Sequence, residues 1–405
     1  MMNGIIDNID RDEAVKLICS HIKYRPEKEI VALEDACGRT LYEDVRSRYC
    51  VPAVRCSRWD GIVFSYDAYE QVMDRKEKAG NFSSWTEGEE FAYSNTGIPV
   101  PDERFDTMVM IEQTRFEDGQ LKEILQSGVE RGQNIIPPGE KMAEGELLAP
   151  AGTLVTPAHL NIFAMGGVMT VPVMRRPRVA IIPTGDELSP AALRPGLGQT
   201  VESNSYSMAA KLKEWGAVPL LLPIQPDDPE LIQATLRSAA EEADLIVAGG
   251  GSGRGCRDYM QNNLSAAGTL YFSSVCHGPG KRTGFAVVDG TPVISLVGPP
   301  GGEEMTFDFY VKPAVFACLG REFRITRTKA LLDEDIPPHH KTDFMYPLKL
   351  FRGEDGRIHA SLADMDRFDR ELTEHNGYIF VRKDGEGLRK GSVISAEIRT
   401  GCENL

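Results

Sequence analysis

The stretch Arg178-Val-Ala-Ile-Ile-Pro-Thr-Gly-Asp-Glu-Leu188 decides the fold of the central part of this chain. Residues 179–182 form a short, continuous apolar run, which is typical of a strand buried on both faces of a parallel sheet. A polar turn, Thr184 to Glu187, follows directly, so its side chains should lie at the carboxyl end of that strand. Ligands of open α/β sheets bind at this edge. The stretch therefore predicts a buried strand and the beginning of a ligand site.

Downstream of this stretch, helical and strand patterns alternate. We expect helices at about 204–215, 228–242 and 303–318, and strands at 218–222, 245–247 and 293–297. Gly-rich turns follow two of these strands, at Gly249–Gly255 and Gly298–Gly302. This alternation predicts a doubly wound α/β domain with a parallel sheet.

The flanking segments have other patterns. Apolar residues at helical spacing predict an amphipathic helix over residues 10–25. Residues 47–150 contain short β-rich pieces separated by Gly and Pro turns, which predicts a small β domain or barrel. After Arg321 the chain is again rich in strand patterns, with strands expected near 344–351, 377–382 and 393–398. The fold class expected is therefore α/β plus β, in several domains.

Composition excludes several classes of protein. The 405 residues include 45 Lys and Arg against 60 Asp and Glu, a formal net charge of −15, which disfavours nucleic acid and membrane surfaces as partners. No apolar run approaches the roughly 20 residues that span a bilayer. The acidic N-terminus does not match a signal peptide. The eight cysteines form no CxxC pair, so we expect reduced thiols and a cytoplasmic location.

Three loops at strand ends carry the chemistry of a ligand site: Pro183–Leu188, Gly249–Gly255 and Gly298–Gly302. Glycines let backbone N–H groups approach a ligand closely and cradle phosphate oxygens. The competing interpretation is that such turns only connect strands, but three in succession favour a site. No loop ends in the Gly-Lys-Ser/Thr of an ATPase, and none has the glycine spacing of a dinucleotide site.

Charged residues near these loops suggest further roles. Asp186, Glu187 and Asp258 are candidate ligands of a hard cation such as Mg²⁺. Asp227 and its neighbour Asp228 stand before Pro229, where capping of a helix is the competing interpretation. Lys281 could act as a point charge beside a phosphate, or it could be an ordinary solvated lysine.

Short motifs along nearly the whole chain resemble, in order and spacing, those of the molybdopterin molybdenumtransferase family, which includes MoeA and the gephyrin E domain. The matching segments are Leu33–Leu41, Ser57-Arg-Trp-Asp-Gly61, Thr96-Gly97 with Pro99, Gly132 to Glu140, Thr184-Gly-Asp-Glu-Leu188, Glu202-Ser-Asn204, Gly250 to Asp258, Pro279-Gly-Lys281 and Gly298-Pro-Pro300. Each motif alone is weak, but their order and number favour homology.

The resemblance implies four domains and a homodimer. They would be a split N-terminal domain (1–46 and 146–176), an inserted β domain (47–145), an α/β molybdopterin-binding domain (177–322) and a C-terminal β barrel (323–405). The site would lie between the α/β domain of one subunit and the inserted domain of the other. The implied reaction converts adenylylated molybdopterin and molybdate into molybdenum cofactor and AMP, with Mg²⁺ as the usual cation.

The resemblance also assigns site residues. Catalytic roles would fall to Asp60, Thr96, Glu187, Asp227 and Asp258, with Glu187 and Asp258 as the metal ligands. Pterin and phosphate binding would fall to Thr184, Gly185, Asp186, Asn204, Gly250, Gly251, Ser252, Gly255, Lys281, Gly298 and Pro300. The implied protein partners are the molybdopterin adenylyltransferase and apo-molybdoenzymes.

Several residues in the motifs depart from the family pattern. Trp59 stands in place of Met, Gly249 and Gly253 in place of Ser, and Pro299 in place of Asn. These changes keep alternatives open: a tungstate-specific relative, or a non-catalytic protein that binds and delivers the pterin or the finished cofactor. A scaffold protein and an unrelated nucleotide-binding module are weaker alternatives.

Overall fold

The structure, a computed structural model, describes residues 5–22, 27–74, 80–250, 259–365, 367–399 and 402. The chain forms two compact units. The larger unit joins Met1–Glu27 to Arg175–Leu405, and the smaller unit is Lys28–Met174. Within the described ranges, no helix is both long and apolar enough to cross a membrane.

The first helix, α1 (Arg11–Ser20), belongs to the larger unit. The Asp10 side chain caps it by accepting hydrogen bonds from the backbone N–H groups of Asp12 and Glu13. Ala14 and Ile18 on its inner face are buried in the core of the α/β domain. The family resemblance assigned residues 1–46 to a split N-terminal domain, whereas the packing groups this helix with the α/β core because its apolar face is buried there.

The smaller unit consists of short antiparallel sheets. Strand β4 (Gly61–Phe64) pairs with β5 (Phe91–Ser94) and β6 (Thr107–Met110). The two ends of the unit are joined by the pairing of β1 (Lys28–Ala32) with β11 (Thr170–Met174) and of β2 (Val45–Arg46) with β10 (Leu147–Ala149). Aromatic residues such as Phe64, Phe82 and Trp85 fill its largest core. Its elements are β1 (Lys28–Ala32), β2 (Val45–Arg46), β3 (Cys56–Ser57), β4 (Gly61–Phe64), α2 (Tyr66–Met73), β5 (Phe91–Ser94), β6 (Thr107–Met110), β7 (Thr114–Glu117), β8 (Gln120–Ile124), β9 (Ile135–Ile136), β10 (Leu147–Ala149), α3 (Pro157–Met165) and β11 (Thr170–Met174).

The α/β domain of the larger unit follows in the order expected from the sequence. Its elements are β12 (Arg178–Thr184), β13 (Leu188–Pro190), β14 (Thr200–Glu202), α4 (Asn204–Glu214), β15 (Val218–Leu221), α5 (Pro229–Glu242), β16 (Leu245–Gly250), α6 (Tyr259–Ala267), β17 (Thr269–Phe272), β18 (His277–Gly278), β19 (Gly284–Val288), β20 (Thr291–Leu296), α7 (Pro300–Thr306) and α8 (Lys312–Cys318). A π-helical turn, Phe307–Val311, connects the last two helices.

The main sheet has the strand order β15-β12-β16-β20-β19-β17. The first four strands are parallel, whereas β19 runs antiparallel to both of its neighbours. Alternate residues of β12 enter opposite cores: Val179 and Ile181 lie on the face of α4 and α8, and Ala180 and Ile182 on the face of α5 and α6. The doubly wound α/β domain is confirmed, with an antiparallel strand that the sequence did not indicate.

The C-terminal part is a closed five-stranded barrel, as predicted. Its strands are β21 (Arg327–Leu332), β22 (Asp343–Arg352), β23 (Ile358–Leu362), β24 (Gly377–Val381) and β25 (Val393–Ile398), with helix α9 (Phe368–Glu374) between β23 and β24. They pair in the order β22-β23-β21-β25-β24, and β24 pairs again with β22, which closes the barrel. Leu348, Ala360 and Ala396 lie in its core. Strand β18 of the α/β domain adds to β22.

Candidate functional site: two clefts at the carboxyl edge of the sheet

Two adjoining clefts lie where β12, β16 and β20 end. Cleft A has a volume of about 360 Å³, and its wall includes Glu187, Asn204 and the backbone of Gly249. Cleft B has a volume of about 440 Å³, and its wall includes Lys281 and Arg282. Gly250, Gly298 and Pro299 belong to both walls. The carboxyl edge of the sheet therefore holds a composite depression, in agreement with the general rule for open α/β sheets.

Gly250 forms part of the ridge between the clefts. Its φ of +106° is a conformation that side chains rarely adopt, and an added Cβ would lie 1.9 Å from the carbonyl oxygen of Thr184. Only glycine fits this position. The side chain of Thr184 is fully buried, and its hydroxyl donates a hydrogen bond of 3.2 Å to the carbonyl of Gly249. Thr184 thus joins the end of β12 to the end of β16, and its hydroxyl does not face the cleft.

The polar wall of cleft A combines a carboxylate with an amide. Glu187 is half-buried, and its carboxylate occupies the space beside Gly185, where an added Cβ would lie 2.7 Å from Oε2. The Asn204 Nδ2 donates to the carbonyl of Gly298 at 3.1 Å, which joins the start of α4 to the loop after β20. Pro300 also lines this cleft.

Two residues of cleft A were not among the site residues expected from the sequence. Glu202 is buried, and its carboxylate accepts a hydrogen bond of 2.9 Å from the backbone N–H of Ser205. The buried Oγ of Ser205 makes no hydrogen bond to any residue that the structure describes. The sequence Glu202-Ser-Asn-Ser205 at the start of the predicted helix could have indicated both residues, because such residues commonly cap helices and place their side-chain oxygens at the helix end.

Cleft B carries the positive charge of the site. Lys281 and Arg282 are both exposed in its wall. The loop that bears them is held by Gln261, whose Nε2 donates to the Arg282 carbonyl at 2.9 Å. Gly280 packs so closely that a Cβ would lie 2.1 Å from Cγ2 of Thr306. A phosphate group or an oxyanion would find two cations and backbone donors here.

Asp186 and Asp227 adjoin each other next to cleft A. The exposed Asp186 accepts a hydrogen bond of 3.1 Å from the backbone N–H of Asp227 through Oδ1. Asp186 and Gly185 line a neighbouring open groove that shares Glu202 and Ser205 with cleft A. The cap of α5 is Asp228, which accepts from the N–H groups of Glu230 and Leu231, so capping does not account for Asp227.

In the smaller unit, the structure brings Asp60 and Thr96 together. Oδ1 of Asp60 accepts hydrogen bonds from the Thr96 backbone N–H at 2.6 Å and from its hydroxyl at 2.9 Å. The backbone bond, and then the hydroxyl bond, hold the pKa of Asp60 below its usual range. These two predicted site residues are 36 positions apart in the sequence, and in the structure they form one exposed carboxylate–hydroxyl pair.

Four of the expected site residues, Gly251, Ser252, Gly255 and Asp258, lie outside the described residues. In the part of the chain that the structure describes, no three His, Cys, Asp or Glu side chains cluster closely enough to hold a metal ion. Of the two metal ligands that the resemblance assigned, Glu187 and Asp258, Glu187 is the one whose position in a cleft is described.

Behind the clefts, a buried charge network links α4, α7 and the barrel. Lys211 lies 3.2 Å from Glu304 and 2.7 Å from Asp308, and Arg399 also pairs with Glu304. The neighbouring Glu303 is almost fully buried, and its Oε1 has no hydrogen-bond partner among the described residues. Burial raises the pKa of Glu303 well above its ordinary value, despite the attraction of Lys211.

Comparisons with known proteins cover most of the chain. Residues 9–167 match the family described as MoeA N-terminal region (domain I and II), and residues 180–317 match the probable molybdopterin binding domain. The molybdopterin molybdenumtransferase of Bacillus subtilis is 30% identical over 400 residues, which cover 95% of this chain and 92% of that protein. The enzyme of the same name from Nostoc is 32% identical over 301 residues, covering 71% of this chain and 68% of that protein.

A solved structure has the same architecture. The molybdopterin biosynthesis MoeA protein of Pyrococcus horikoshii superposes with a TM-score of 0.79 over 98% of this chain and 100% of that chain, at 22% identity. At this identity the match shows the fold alone.

The fold and clefts define a multidomain protein with an α/β ligand-binding domain of the molybdopterin-binding class. The chain belongs to the molybdopterin molybdenumtransferase family, and its place is in molybdenum cofactor biosynthesis. The resemblance seen in the sequence motifs is confirmed.

Proposed function

We propose that this protein inserts molybdenum from molybdate into adenylylated molybdopterin and releases AMP. The observation that carries the proposal is the pair of adjoining clefts that share Gly250, Gly298 and Pro299. A pterin nucleotide has a flat ring system, a pyrophosphate and a purine, so it needs two connected depressions and a backbone that can approach its phosphates.

The chain's own residues would bind and orient this substrate. Lys281 and Arg282 would neutralise phosphate or oxyanion charge in cleft B, and Asn204 would hold the loop at Gly298 in place. Cleavage of a pyrophosphate requires stabilisation of charge more than covalent chemistry, so fixed cations and N–H donors supply much of what the reaction needs.

The donor set in cleft A suits a hard cation. Glu187 offers a carboxylate in the wall, and Asp186 and Asp227 lie next to it. Carboxylates together with phosphate oxygens are the ligands that Mg²⁺ prefers. We propose that Glu187 and Asp258 hold Mg²⁺, which would supply charge neutralisation at the pyrophosphate when bound.

We propose further that the protein works in the cytoplasm as a homodimer, with Asp60 and Thr96 taking part in catalysis, as the family resemblance implies. The molybdopterin adenylyltransferase and apo-molybdoenzymes are the proposed protein partners. The alternative of a non-catalytic carrier is not favoured, because the curated relatives are named as transferases.

A single-turnover assay tests the proposal. The purified protein is mixed with adenylylated molybdopterin, Mg²⁺ and either molybdate or tungstate, and AMP release is followed. We expect release that depends on the oxyanion and is faster with molybdate. Tight binding of the pterin nucleotide without AMP release would overturn the proposal, and faster release with tungstate would reassign the metal. Light scattering at micromolar concentrations tests the dimer, which a monomer would contradict.

A further inference from the structure

Clefts A and B differ in the sign of their charge. The described wall of cleft A contains two carboxylates, those of Glu187 and Glu202, and no Lys, Arg or His. The described wall of cleft B contains two cations, Lys281 and Arg282, and no Asp or Glu. None of these four side chains forms an ion pair with any residue that the structure describes. A ligand that spans both clefts should therefore place its negative charge in cleft B and present hydrogen-bond donors to cleft A.

Glu202 is the more enclosed of the two carboxylates in cleft A. It is 8% exposed, whereas Glu187 is half-buried. Oε1 of Glu202 accepts the backbone N–H of Ser205 at 2.9 Å, which orients the carboxylate at the start of α4, and Oε2 accepts no hydrogen bond from any described residue. A ligand that fills cleft A removes water from this carboxylate, so it must supply N–H or O–H donors in exchange.

The neighbouring Ser205 brings a second unsatisfied group to the same wall. Its side chain is 6% exposed, and its Oγ makes no hydrogen bond to any residue in the described ranges. A buried hydroxyl without a partner is uncommon in a folded protein. Because the hydroxyl proton can rotate to suit a partner, Ser205 can donate to an oxygen of a ligand. The start of α4 therefore places an acceptor, Glu202, and a donor, Ser205, in one wall.

Apolar side chains form much of the remaining wall of cleft A, including Leu188, Val201 and Met208. Such a wall favours a flat ring system that buries its faces and turns one polar edge towards the few polar side chains. The cleft volume of about 360 Å³ lies in the range of small-molecule sites.

We infer that Glu202 and Ser205 recognise the aminopyrimidinone edge of the pterin ring. Glu202 accepts the ring N3–H and the 2-amino group, since Oε1 keeps a second lone pair beside its bond to the Ser205 N–H, and Ser205 donates to the 4-oxo oxygen. The inference rests on the proposed function and gives its substrate an orientation. The ring enters cleft A, and the phosphates lie across the ridge at Gly250, in cleft B.

Two fluorescent pteridines, pterin and lumazine, test this contact on the full chain. Lumazine carries an oxygen in place of the 2-amino group of pterin, so it presents a second acceptor to Glu202 where pterin presents a donor. We expect the wild-type protein to bind pterin at least about tenfold more tightly than lumazine, because a charge-assisted hydrogen bond is exchanged for a repulsive contact.

Substitutions at the two residues separate recognition from a structural role. Glu202→Gln should reduce the preference for pterin to about twofold or less, because an amide donates as well as accepts. Glu214→Gln, which changes an exposed carboxylate at the end of α4, is the matched control and should keep the preference. Ser205→Ala should weaken both pteridines by about fivefold without changing their ratio, because both carry the 4-oxo oxygen. Its melting temperature should stay near that of the wild type, since the hydroxyl has no described partner to lose.

Inorganic pyrophosphate tests the orientation, with binding followed by calorimetry. It should bind together with pterin, because the two occupy different clefts. Lys281→Gln should weaken pyrophosphate by about tenfold and leave pterin binding unchanged. An undiminished preference for pterin in Glu202→Gln, displacement of pterin by pyrophosphate, or no saturable pterin binding at millimolar concentrations would overturn the inference. Displacement of pterin by Mg²⁺ alone would assign Glu202 to the cation and would overturn it as well.

These binding measurements do not depend on AMP release. A protein that distinguishes pterin from lumazine through Glu202 but releases no AMP would contradict the transferase proposal and leave the inference standing. AMP release without that distinction would support the transferase and overturn the inference.

Discussion

Gly250 faces the carbonyl oxygen of Thr184 so closely that a Cβ at Gly250 would lie 1.9 Å from it. This contact sets the distance between the ends of β12 and β16, and therefore the ridge between clefts A and B. The neighbouring Gly249 is different, since a Cβ there would meet only Cε of Met208 at an ordinary 3.6 Å.

Gly250→Ala should destabilise the fold by about 2 kcal/mol or more, because both the backbone conformation and the clash oppose a side chain. Gly249→Ala, the matched control, should change the free energy of unfolding by less than about 1 kcal/mol. Urea denaturation of both variants measures the difference. Equal stabilities would mean that the strand ends can separate to accept the side chain.

Glu303 and Glu304 are adjacent carboxylates in α7, and replacing each by glutamine should change the stability of the protein in opposite directions. Glu303→Gln removes an acid whose pKa burial raises, so it should stabilise the protein at neutral pH. The folded protein binds the Glu303 proton more tightly than the unfolded chain does. Wild-type stability should therefore fall relative to this variant as pH rises above the ordinary carboxyl range, by at most about 1.4 kcal/mol per pH unit.

Glu304→Gln should instead destabilise by about 3 kcal/mol, because it removes the carboxylate that Lys211 and Arg399 share. Denaturation curves of wild type and both variants between pH 5 and 8, a range above the ordinary carboxyl pKa, supply the comparison. A destabilised Glu303→Gln protein with no pH-dependent difference from wild type would show that Glu303 is ionised when folded.

Thr96→Val should raise the pKa of Asp60 towards its ordinary value without restoring it, because the backbone N–H bond remains. The stabilising contribution of Asp60 is present above its unfolded pKa and is lost as pH falls through its lowered folded pKa. An NMR titration of the Asp60 carboxyl carbon measures the change. The pKa of Asp102, which Arg104 lowers, is the internal control and should stay fixed. An unchanged Asp60 pKa would mean that the hydroxyl bond is not populated in solution.

Lys281→Gln should weaken binding of the pterin nucleotide by about tenfold, as expected for the loss of one charge-assisted hydrogen bond. The effect should shrink as ionic strength rises, because salt screens the exposed lysine. Isothermal titration at two salt concentrations tests this, with Lys213→Gln as the control for a lost surface charge. Identical affinities for wild type and Lys281→Gln at low salt would remove Lys281 from the site.

Glu187→Gln should lower AMP release by at least about tenfold if Glu187 helps to hold the cation. Its control is Glu214→Gln, an exposed carboxylate at the end of α4 that lines neither cleft. The test compares single-turnover rates across Mg²⁺ concentrations. A rate loss that added Mg²⁺ recovers is the expected result, and wild-type rates at all Mg²⁺ concentrations would exclude the role.

The sequence by itself determined the local elements and the ligand edge of the α/β domain. The apolar run 179–182 lies within β12, and the predicted helix at 228–242 corresponds to α5 at Pro229–Glu242. Glu187, Gly250 and Gly298 lie at the ends of three strands that are neighbours in the sheet, and they meet in one cleft because parallel strands end at the same edge. Hydrophobic periodicity and turn residues specify these features through residues that are only a few positions apart in the chain.

Only the tertiary structure decided which segments, far apart in the sequence, pack into the same core. It placed α1 against the α/β domain, closed the barrel by pairing β24 with β22, and buried the Thr184 hydroxyl. It also gave Glu303 a buried position and paired Arg11 with Glu397, which lies 386 positions further along the chain. Such features depend on long-range packing and desolvation, which no local pattern of residues specifies, because the energy of a side chain depends on neighbours that the fold brings from elsewhere.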